Sequence, residues 1–365
     1  MGEVAEWIAL NDVPNLGPRR IAAVFRETGG IDSFLAGDFA RLADILHVKV
    51  ETIRNILGAL DLERGREMTR LCRNRGIGIV TLQCPDYPSL LREIYDPPPV
   101  LYYLGALPGP RPLLAAVGSR KATRYGRSVT AALIPPLCRA GLGVVSGLAA
   151  GIDSSAHWAS LKEGGYTLAV LGNGVDVFYP AANRELQGRI VDSGGCLLSE
   201  FPPGARPRAN HFPRRNRVIS GLCQGLLVVE AGIKSGAMIT VGFALEQGRD
   251  VYSVPGNIDS PQSGGTNHLI RMGAKPVLSS RDILEEYGLD LPLAGAPVQA
   301  AAALDREEQA LLAQIDAQGT SVDDLCYLTG LPGSVVLARL VALELKGAVA
   351  RLPGQKFVRC TGSEV

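Results

Sequence analysis

Between residues 112 and 287, short apolar runs alternate with amphipathic stretches, and this alternation constrains the fold more than any other feature. The runs are rich in Val, Leu and Ala, and most end in glycine: LLAAVG (113–118), GVVSG (143–147), TLAVLG (167–172), CLLSE (196–200), LLVVE (226–230) and VYSVPG (251–256). Buried strands that alternate with helices predict a parallel sheet covered on both faces. Glycine after successive strands indicates a doubly wound sheet, in which ligands bind outside the carboxyl ends of the strands.

The regions on either side of this segment have different patterns. Residues 1–80 show helical spacing, and the low-charge stretch 289–303, rich in Pro, Gly and Ala, is typical of a linker. Residues 304–365 combine helical patterns, a turn and a final two-stranded hairpin, which predicts a winged helix. We therefore predict an α/β protein with a doubly wound, mostly parallel sheet over 85–288, a small N-terminal helical domain and a C-terminal winged-helix domain.

Positive charge is concentrated in two spans, although the whole chain has 37 basic and 36 acidic residues. Asp and Glu are absent between Pro97 and Ile152 and again between Phe201 and Val229. The bases in these spans are Arg111, Arg120, Lys121, Arg124, Arg127, Arg139, Arg206, Arg208, Arg214, Arg215 and Arg217. Because a doubly wound sheet brings strand-end loops together, the two spans can form one positive crevice. The alternative is a set of solvated arginines with internal salt bridges.

Three loops that follow strands suit the binding of phosphate groups. After the first strand, Gly118, Ser119 and Arg120 precede a helix start, which favours anions through its free N–H groups and its dipole. In SGLAAGIDSSAH, the corresponding residues are Ser146, Gly147 and Gly151, while Asp153 is read as an ordinary helix cap. After LLVVE, Lys234, Ser235 and Gly236 again precede a helix. Three such loops beside an arginine cluster favour a ligand with several phosphates.

Seven segments in this order resemble the DNA-processing protein A family, also called DprA or Smf. They are VGSRKATRYG, SGLAAGID, LAVLGNGVDVFYP, LLSEFPPG, NHFPRRNRVISGL, VVEAGIKSGAMIT and VYSVPGNIDSPQSGGTNHLIRMGA. The resemblance implies an extended Rossmann-like domain that binds single-stranded DNA and dimerises. It also implies protection of incoming DNA and loading of RecA recombinase during natural transformation.

The resemblance carries site residues over one by one. The phosphate-gripping turn of the family matches Gly118, Ser119 and Arg120, and its SGS-type loop matches Ser235 and Gly236, with Ala237 where a third hydroxyl is expected. The basic helix start matches 212–217, that is Phe212, Arg214, Arg215, Asn216 and Arg217. Phe212 either stacks on a base or packs in the core. The dimer surface is placed loosely on 266–280, with Leu269 and Val277 as candidates.

The two ends of the chain leave alternatives open. VPNLGPRRIAAVFRETGG (13–30) resembles a helix-hairpin-helix, whose turn can grip a phosphate, but a plain helical packing domain fits equally well. The candidate recognition helix of the winged-helix domain is mostly Val, Leu and Ala. Since a major-groove reader presents Arg, Lys, Asn or Gln to the bases, we favour a protein-contact or scaffold role.

The rival function is an enzyme of the LOG-like phosphoribohydrolase type, which uses a PGGxGTxxE loop. The nearest match, SGGTNHLI, has Leu269 in place of the glutamate, so the reaction lacks an obvious acid or base. We therefore predict a binding protein without catalytic residues. No cofactor is expected, because the sequence lacks a dinucleotide fingerprint or a Walker loop.

Composition excludes several other classes. The seven cysteines are scattered without a CxxC pair, and the four histidines lack metal-ligand spacing, so neither a disulfide framework nor a metal site is predicted. The most apolar region, near 128–150, is broken by Pro135, Pro136 and Arg139, which makes it a poor membrane span. With no secretory signal evident, we expect a cytoplasmic protein without a membrane partner.

Overall fold

The computed structural model describes residues 3–289, 305–316, 319–345, 348–352 and 356–359. The chain forms two compact units, Met1–Leu291 and Pro292–Val365. Apart from Leu289, the predicted linker over 289–303 lies outside the described residues.

The helices of the first unit are α1 (Val4–Asp12), α2 (Gly17–Thr28), α3 (Asp32–Leu35), α4 (Phe39–Leu46), α5 (Val50–Leu57), α6 (Leu62–Asn74), α7 (Ser89–Glu93), α8 (Arg124–Arg139), α9 (Ile152–Lys162), α10 (Arg184–Asp192), α11 (His211–Gly221), α12 (Ala237–Glu246), α13 (Gly264–Arg271) and α14 (Arg281–Leu284), with a short 3₁₀ turn at Ala181–Asn183. Its strands are β1 (Gly78–Thr81), β2 (Val100–Gly105), β3 (Leu113–Val117), β4 (Gly143–Ser146), β5 (Thr167–Val170), β6 (Cys196–Ser199), β7 (Gly225–Val228), β8 (Asp250–Ser253) and β9 (Lys275–Pro276).

These strands form one sheet in the order β1-β2-β6-β5-β4-β3-β7-β8-β9. Strands β3 to β9 run parallel, whereas β1 and β2 extend the β6 edge in antiparallel register. The predicted doubly wound, mostly parallel sheet is therefore confirmed, and each of the six apolar runs forms a strand. Strand β3 lies at the centre of the seven parallel strands, where it pairs with β4 on one side and β7 on the other. The chain winds outward from β3 in one direction and from β7 in the other.

The N-terminal helices share a core with the sheet. Trp7, Ile8 and Leu10 of α1 are fully buried, and they belong to the same apolar cluster as Leu101 and Tyr102 of β2. This continuity follows from the apolar face of α1 together with strand β1, which connects the helical region directly to the sheet edge. The division of this unit into separate domains over 1–80 and 85–288 stays a prediction.

The second unit consists of α15 (Arg306–Ala313), α16 (Val322–Thr329) and α17 (Gly333–Leu345) with a sheet of β10 (Thr320–Ser321), β11 (Val349–Leu352) and β12 (Lys356–Arg359) in the order β10-β12-β11. Leu325, Leu340 and Phe357 are buried at its centre. Helices followed by an antiparallel hairpin confirm the winged-helix prediction. Within the described ranges, no single helix is long and apolar enough to span a membrane; only α16 and α17 taken together across a 111° bend meet that length and composition.

Candidate nucleic-acid interface

A crevice of about 900 Å³ opens above the carboxyl ends of β3 and β7, where the chain changes its winding direction. Such a switch point is where ligands bind in doubly wound sheets, because the loops leaving the two strands diverge. Among the described residues that line it, five are basic, namely Arg120, Lys121, Arg208, Arg215 and Lys234. The acid among them, Asp153, is buried. The crevice is therefore a positively charged cleft.

The loop after β3 is held in place by the backbone. The Ser119 amide donates to the Glu230 carbonyl (2.7 Å), and the Ile152 amide donates to the Ser119 carbonyl (3.1 Å). The Ser119 hydroxyl accepts from the Lys121 amide (3.1 Å). These hydrogen bonds use the amide, the carbonyl and the hydroxyl of Ser119. The exposed side chains of Arg120 and Lys121 are the groups of this loop that remain for a ligand.

The start of α8 already carries a negative charge. The buried carboxylate of Glu230 accepts from the Thr123 amide (2.9 Å) and from the Thr123 hydroxyl, while the Thr123 hydroxyl caps the Gly126 amide (3.2 Å). Because this carboxylate sits at the positive end of the helix, Arg120 rather than the helix start is suited to a phosphate.

Arg215 is buried between two strand ends. Its guanidinium donates to the carbonyl of Gly147 (2.7 Å) and to that of Val170, the ends of β4 and β5. Burial lowers the pKa of Arg215 to about 10, while the nearby Asp153 opposes this shift. A Cβ at Gly147 would lie 2.6 Å from an Nη atom of Arg215, so glycine allows the guanidinium to pass. Arg215 thus lines the crevice and also connects the loop after β4 to the end of β5.

Asp153 orders the adjacent loop from within. Its carboxylate accepts from the amides of Gly147 (3.2 Å) and Ala149 (3.3 Å), both of which precede α9. The N-cap of that helix is Gly151, so the reading of Asp153 as the cap is wrong. Burial raises the pKa of Asp153, and the charge of Arg215 counteracts this effect.

Arg214 and Arg217 share a buried carboxylate outside the crevice. Nη2 atoms of Arg214 and Arg217 lie 2.7 and 2.6 Å from the same oxygen of Glu200. Arg217 is 3% exposed and also pairs with Asp96, so its charge is used internally. Arg214 remains 47% exposed. Neither side chain lines the crevice, although the sequence placed both in the binding site.

Aromatic rings border the crevice beside Arg120. Phe212 lies 5.5 Å from Tyr179 between ring centroids, and the Arg120 guanidinium is 5.7 Å from the Phe212 ring. These groups surround a side recess of about 200 Å³ that also includes Gly147. Phe212 is half-buried, so it packs against its neighbours and also lines the crevice. Rings of this kind are suited to stacking against unpaired bases.

The structure brings nine of the predicted residues together along the crevice: Gly118, Ser119, Arg120, Phe212, Arg215, Asn216, Lys234, Ser235 and Gly236. Ser146 is interior, since its hydroxyl donates to the Ala116 carbonyl (2.6 Å). Gly151 packs against the 118–120 loop with φ +88°. Lys121, Arg208 and Tyr179 were not singled out from the sequence as site residues. The acid-free spans contained the two bases, and the quoted LAVLGNGVDVFYP segment contained the tyrosine.

The candidate dimer residues are buried within the single chain. Leu269 and Val277 are 6% and 2% exposed, because they pack into the two apolar clusters of the core. Exposed apolar side chains of the same 266–280 segment are Met272 and Leu278. The location of the dimer surface stays a prediction, but Leu269 and Val277 are not available to a partner. Elsewhere, the described residues contain no group of His, Cys, Asp or Glu arranged to hold a metal ion.

Comparison with known proteins agrees with this architecture. The family model described as DNA recombination-mediator protein A matches residues 78–288, and that of the DprA winged helix domain matches 295–355. Protein Smf of Synechocystis sp. is 33% identical over 98% of this chain and 99% of its own length.

Two solved structures are similar to the chain. The X-ray structure of DprA from Streptococcus pneumoniae has a TM-score of 0.69 at 38% identity, covering 78% of this chain and 99% of that chain. A structure that concerns the single-stranded DNA binding mode of DNA processing protein A from Helicobacter pylori has a TM-score of 0.53 at 26% identity. It covers 58% of this chain and 95% of that chain.

Proposed function

This chain belongs to the DNA recombination-mediator protein A family, also called DprA or Smf, and we propose that its crevice binds the backbone of single-stranded DNA. The observation that carries the proposal is the placement of Arg120, Lys121, Arg208 and Lys234 on one cleft at the switch point of the sheet. All four side chains are exposed, and the acid of the cleft lies buried beneath them.

The shape and chemistry of the cleft favour a single strand over a duplex. Basic side chains can neutralise successive phosphates, while Phe212 and Tyr179 offer rings to unpaired bases. In a duplex, each base face is already stacked on its neighbour and closed to such rings. Binding should therefore tolerate different sequences, because charge and ring stacking do not read base edges.

Substituting Arg120 tests the proposal directly. Each phosphate contact of a single strand contributes about 0.7 to the slope of log affinity against log salt. Arg120→Ala should weaken binding to oligothymidylate and to mixed sequences equally and flatten this slope by about 0.7, as measured by fluorescence anisotropy. The matched control is Arg66→Ala, which removes an arginine 60% exposed on α6 and should leave both quantities unchanged.

The proposal fails if Arg120→Ala and Lys234→Ala both leave affinity and salt slope at the wild-type values while circular dichroism shows folded protein.

We further propose, from family membership, that the protein forms a homodimer, protects incoming DNA and loads RecA recombinase onto it during natural transformation. We also propose that it binds without catalysis. At the position where the phosphoribohydrolase loop carries its glutamate, this chain has Leu269, which is buried in the core. Release of free base from nucleoside monophosphates incubated with the protein would contradict the absence of catalysis.

A further inference from the structure

A second group of exposed aromatic and basic side chains, from α2, α11 and the loop after α7, lies outside the lining of the crevice. Tyr95 is 59% exposed, and the guanidinium carbon of Arg19 lies 4.6 Å from the centre of its ring. Arg214 is exposed on the neighbouring α11. Pro213 and Asn216 of this helix line the crevice, whereas Arg214 does not. We call Arg19, Tyr95 and Arg214 the outer surface.

A short chain of ion pairs and hydrogen bonds connects Arg214 to the residue that follows Tyr95. Arg214 and Arg217 meet on one oxygen of Glu200. Arg217 in turn donates to the Asp96 carbonyl (2.8 Å), and its Nε lies 3.3 Å from the Asp96 carboxylate. Tyr95 immediately precedes Asp96 in the chain. The residue after Tyr95 is therefore connected to Arg214 through the buried side chains of Arg217 and Glu200.

The backbone beneath the ring is also fixed. One Nη atom of Arg26, in α2, donates hydrogen bonds to the carbonyl oxygens of Ile94 (2.8 Å) and Tyr95 (3.1 Å). The N-terminal helices thus position both Tyr95 and the arginine that lies over it. A ring that is already oriented loses little conformational entropy when a ligand stacks on it.

We propose that single-stranded DNA leaving the crevice passes round the first turn of α11, over Arg214, and stacks an unpaired base on Tyr95 while Arg19 contacts an adjacent phosphate. The inference rests on the proposed function of the crevice. An aromatic face beside arginine is the combination that holds single strands without reading their sequence. The outer surface gives the N-terminal helices a part in DNA binding.

Charge alone would not select this path. The Asp96 carboxylate is paired with Arg217, but Glu93 is exposed on α7, two residues before Tyr95. The outer surface is consequently less positive than the crevice, and most of its contribution should come from stacking on the ring. The ring of Tyr95 is therefore the group to change.

The experiment measures the affinity of the full chain for oligothymidylates of increasing length. Tyr95→Ala should equal the wild type for the shortest oligomers that bind, which occupy the crevice alone. For longer oligomers it should bind at least about fivefold more weakly, which corresponds to ~1 kcal/mol for one lost stack. Tyr95→Phe keeps the ring and should match the wild type at every length. Arg66→Ala is the control for a surface change on the N-terminal helices.

A fluorescent reporter separates DNA contact from a merely structural role. In Tyr95→Trp, long oligomers should quench the added fluorescence and short ones should not. Equal affinity of Tyr95→Ala and wild type at every length, or an unquenched Tyr95→Trp, overturns the inference. If Arg120→Ala still weakens all lengths in that case, only the outer surface is wrong. If Arg120→Ala weakens none, the proposed function of the crevice itself is wrong.

Discussion

At the scale of the residue, three arginines within four positions have three different environments. Arg214 is half exposed over a buried carboxylate, Arg215 is buried between two strand ends, and Arg217 is buried in ion pairs. Successive residues of a helix point about 100° apart, so one turn can present the same residue type to solvent, to a loop and to the core. The same side-chain chemistry therefore serves binding at one position and stability at another.

Arg217→Ala should destabilise the protein far more than Arg214→Ala. Removing Arg217 leaves the buried Glu200 without its buried partner, and breaking such a pair costs ~3 kcal/mol. The more exposed Arg214 interaction should contribute less than about 1 kcal/mol. Urea denaturation of the two variants measures the difference. If both variants lose the same unfolding free energy, Arg217 does not stabilise the buried Glu200 carboxylate more than Arg214 does.

At the scale of the element, the crevice depends on loops that touch one another. Gly151 precedes α9 with φ +88°, and a Cβ there would overlap the Ser119 carbonyl. Contact between the loops after β3 and β4 thus requires glycine both for its backbone angle and for its lack of a side chain. The position of Arg120 is set by this contact as much as by its own strand.

Gly151→Ala should lower both stability and DNA affinity, whereas Gly164→Ala should lower stability alone. Both positions have positive φ, so each alanine costs ~1–3 kcal/mol of backbone strain. At Gly164 a Cβ meets open space, but at Gly151 it displaces the loop that carries Arg120. Anisotropy titrations of the two folded variants test this contrast. Equal DNA affinity would mean that the 118–120 loop accommodates the methyl group.

The winged-helix unit presents little positive charge on α17. Arg339 lies 3.6 Å from the Asp305 carboxylate and pairs with Glu307, while Leu337 and Val341 are exposed. Lys346, the next base in the sequence, lies outside the described residues. A base-reading helix needs free polar donors, so these contacts support a role other than sequence-specific DNA binding.

At the scale of the whole molecule, the two compact units allow the crevice to be tested apart from the winged helix. A chain ending near residue 291 retains the complete crevice and its own apolar core. It should keep most of its affinity for single-stranded DNA. A tenfold loss, ~1.4 kcal/mol, would mean that the winged-helix unit contributes to strand binding.

The proposed dimer can be tested at exposed positions of the 266–280 segment. Met272→Arg places a charge on a side chain that is 71% exposed, so it should not disturb the core. We expect it to halve the mass measured by light scattering. Leu269→Arg is unsuitable, because burying its charge would destabilise the subunit itself. An unchanged mass for folded Met272→Arg would place the dimer surface elsewhere.

The sheet, its winding, the winged helix and the region of positive charge can all be predicted from the amino-acid sequence. Apolar periodicity, terminal glycines and acid-free spans are local patterns, so they can be read without knowing which segments meet. The strands at the edges of the sheet were not predicted, because their formation depends on pairing with other segments. Strand β1 has four residues, and whether such a short apolar run becomes a strand depends on its pairing with β2, which its own pattern does not contain.

Which of the charged side chains remain exposed to a ligand depends on the folded structure. Arg214, Arg215 and Arg217 look alike in sequence, but the positions of Glu200 and of the Gly147 carbonyl withdraw two of them into the protein. Likewise, Tyr95 and Arg19 are 76 residues apart and come together only when α2 packs beside the loop that precedes β2. Burial and partnership depend on residues distant in the chain, and those contacts assign each residue its role.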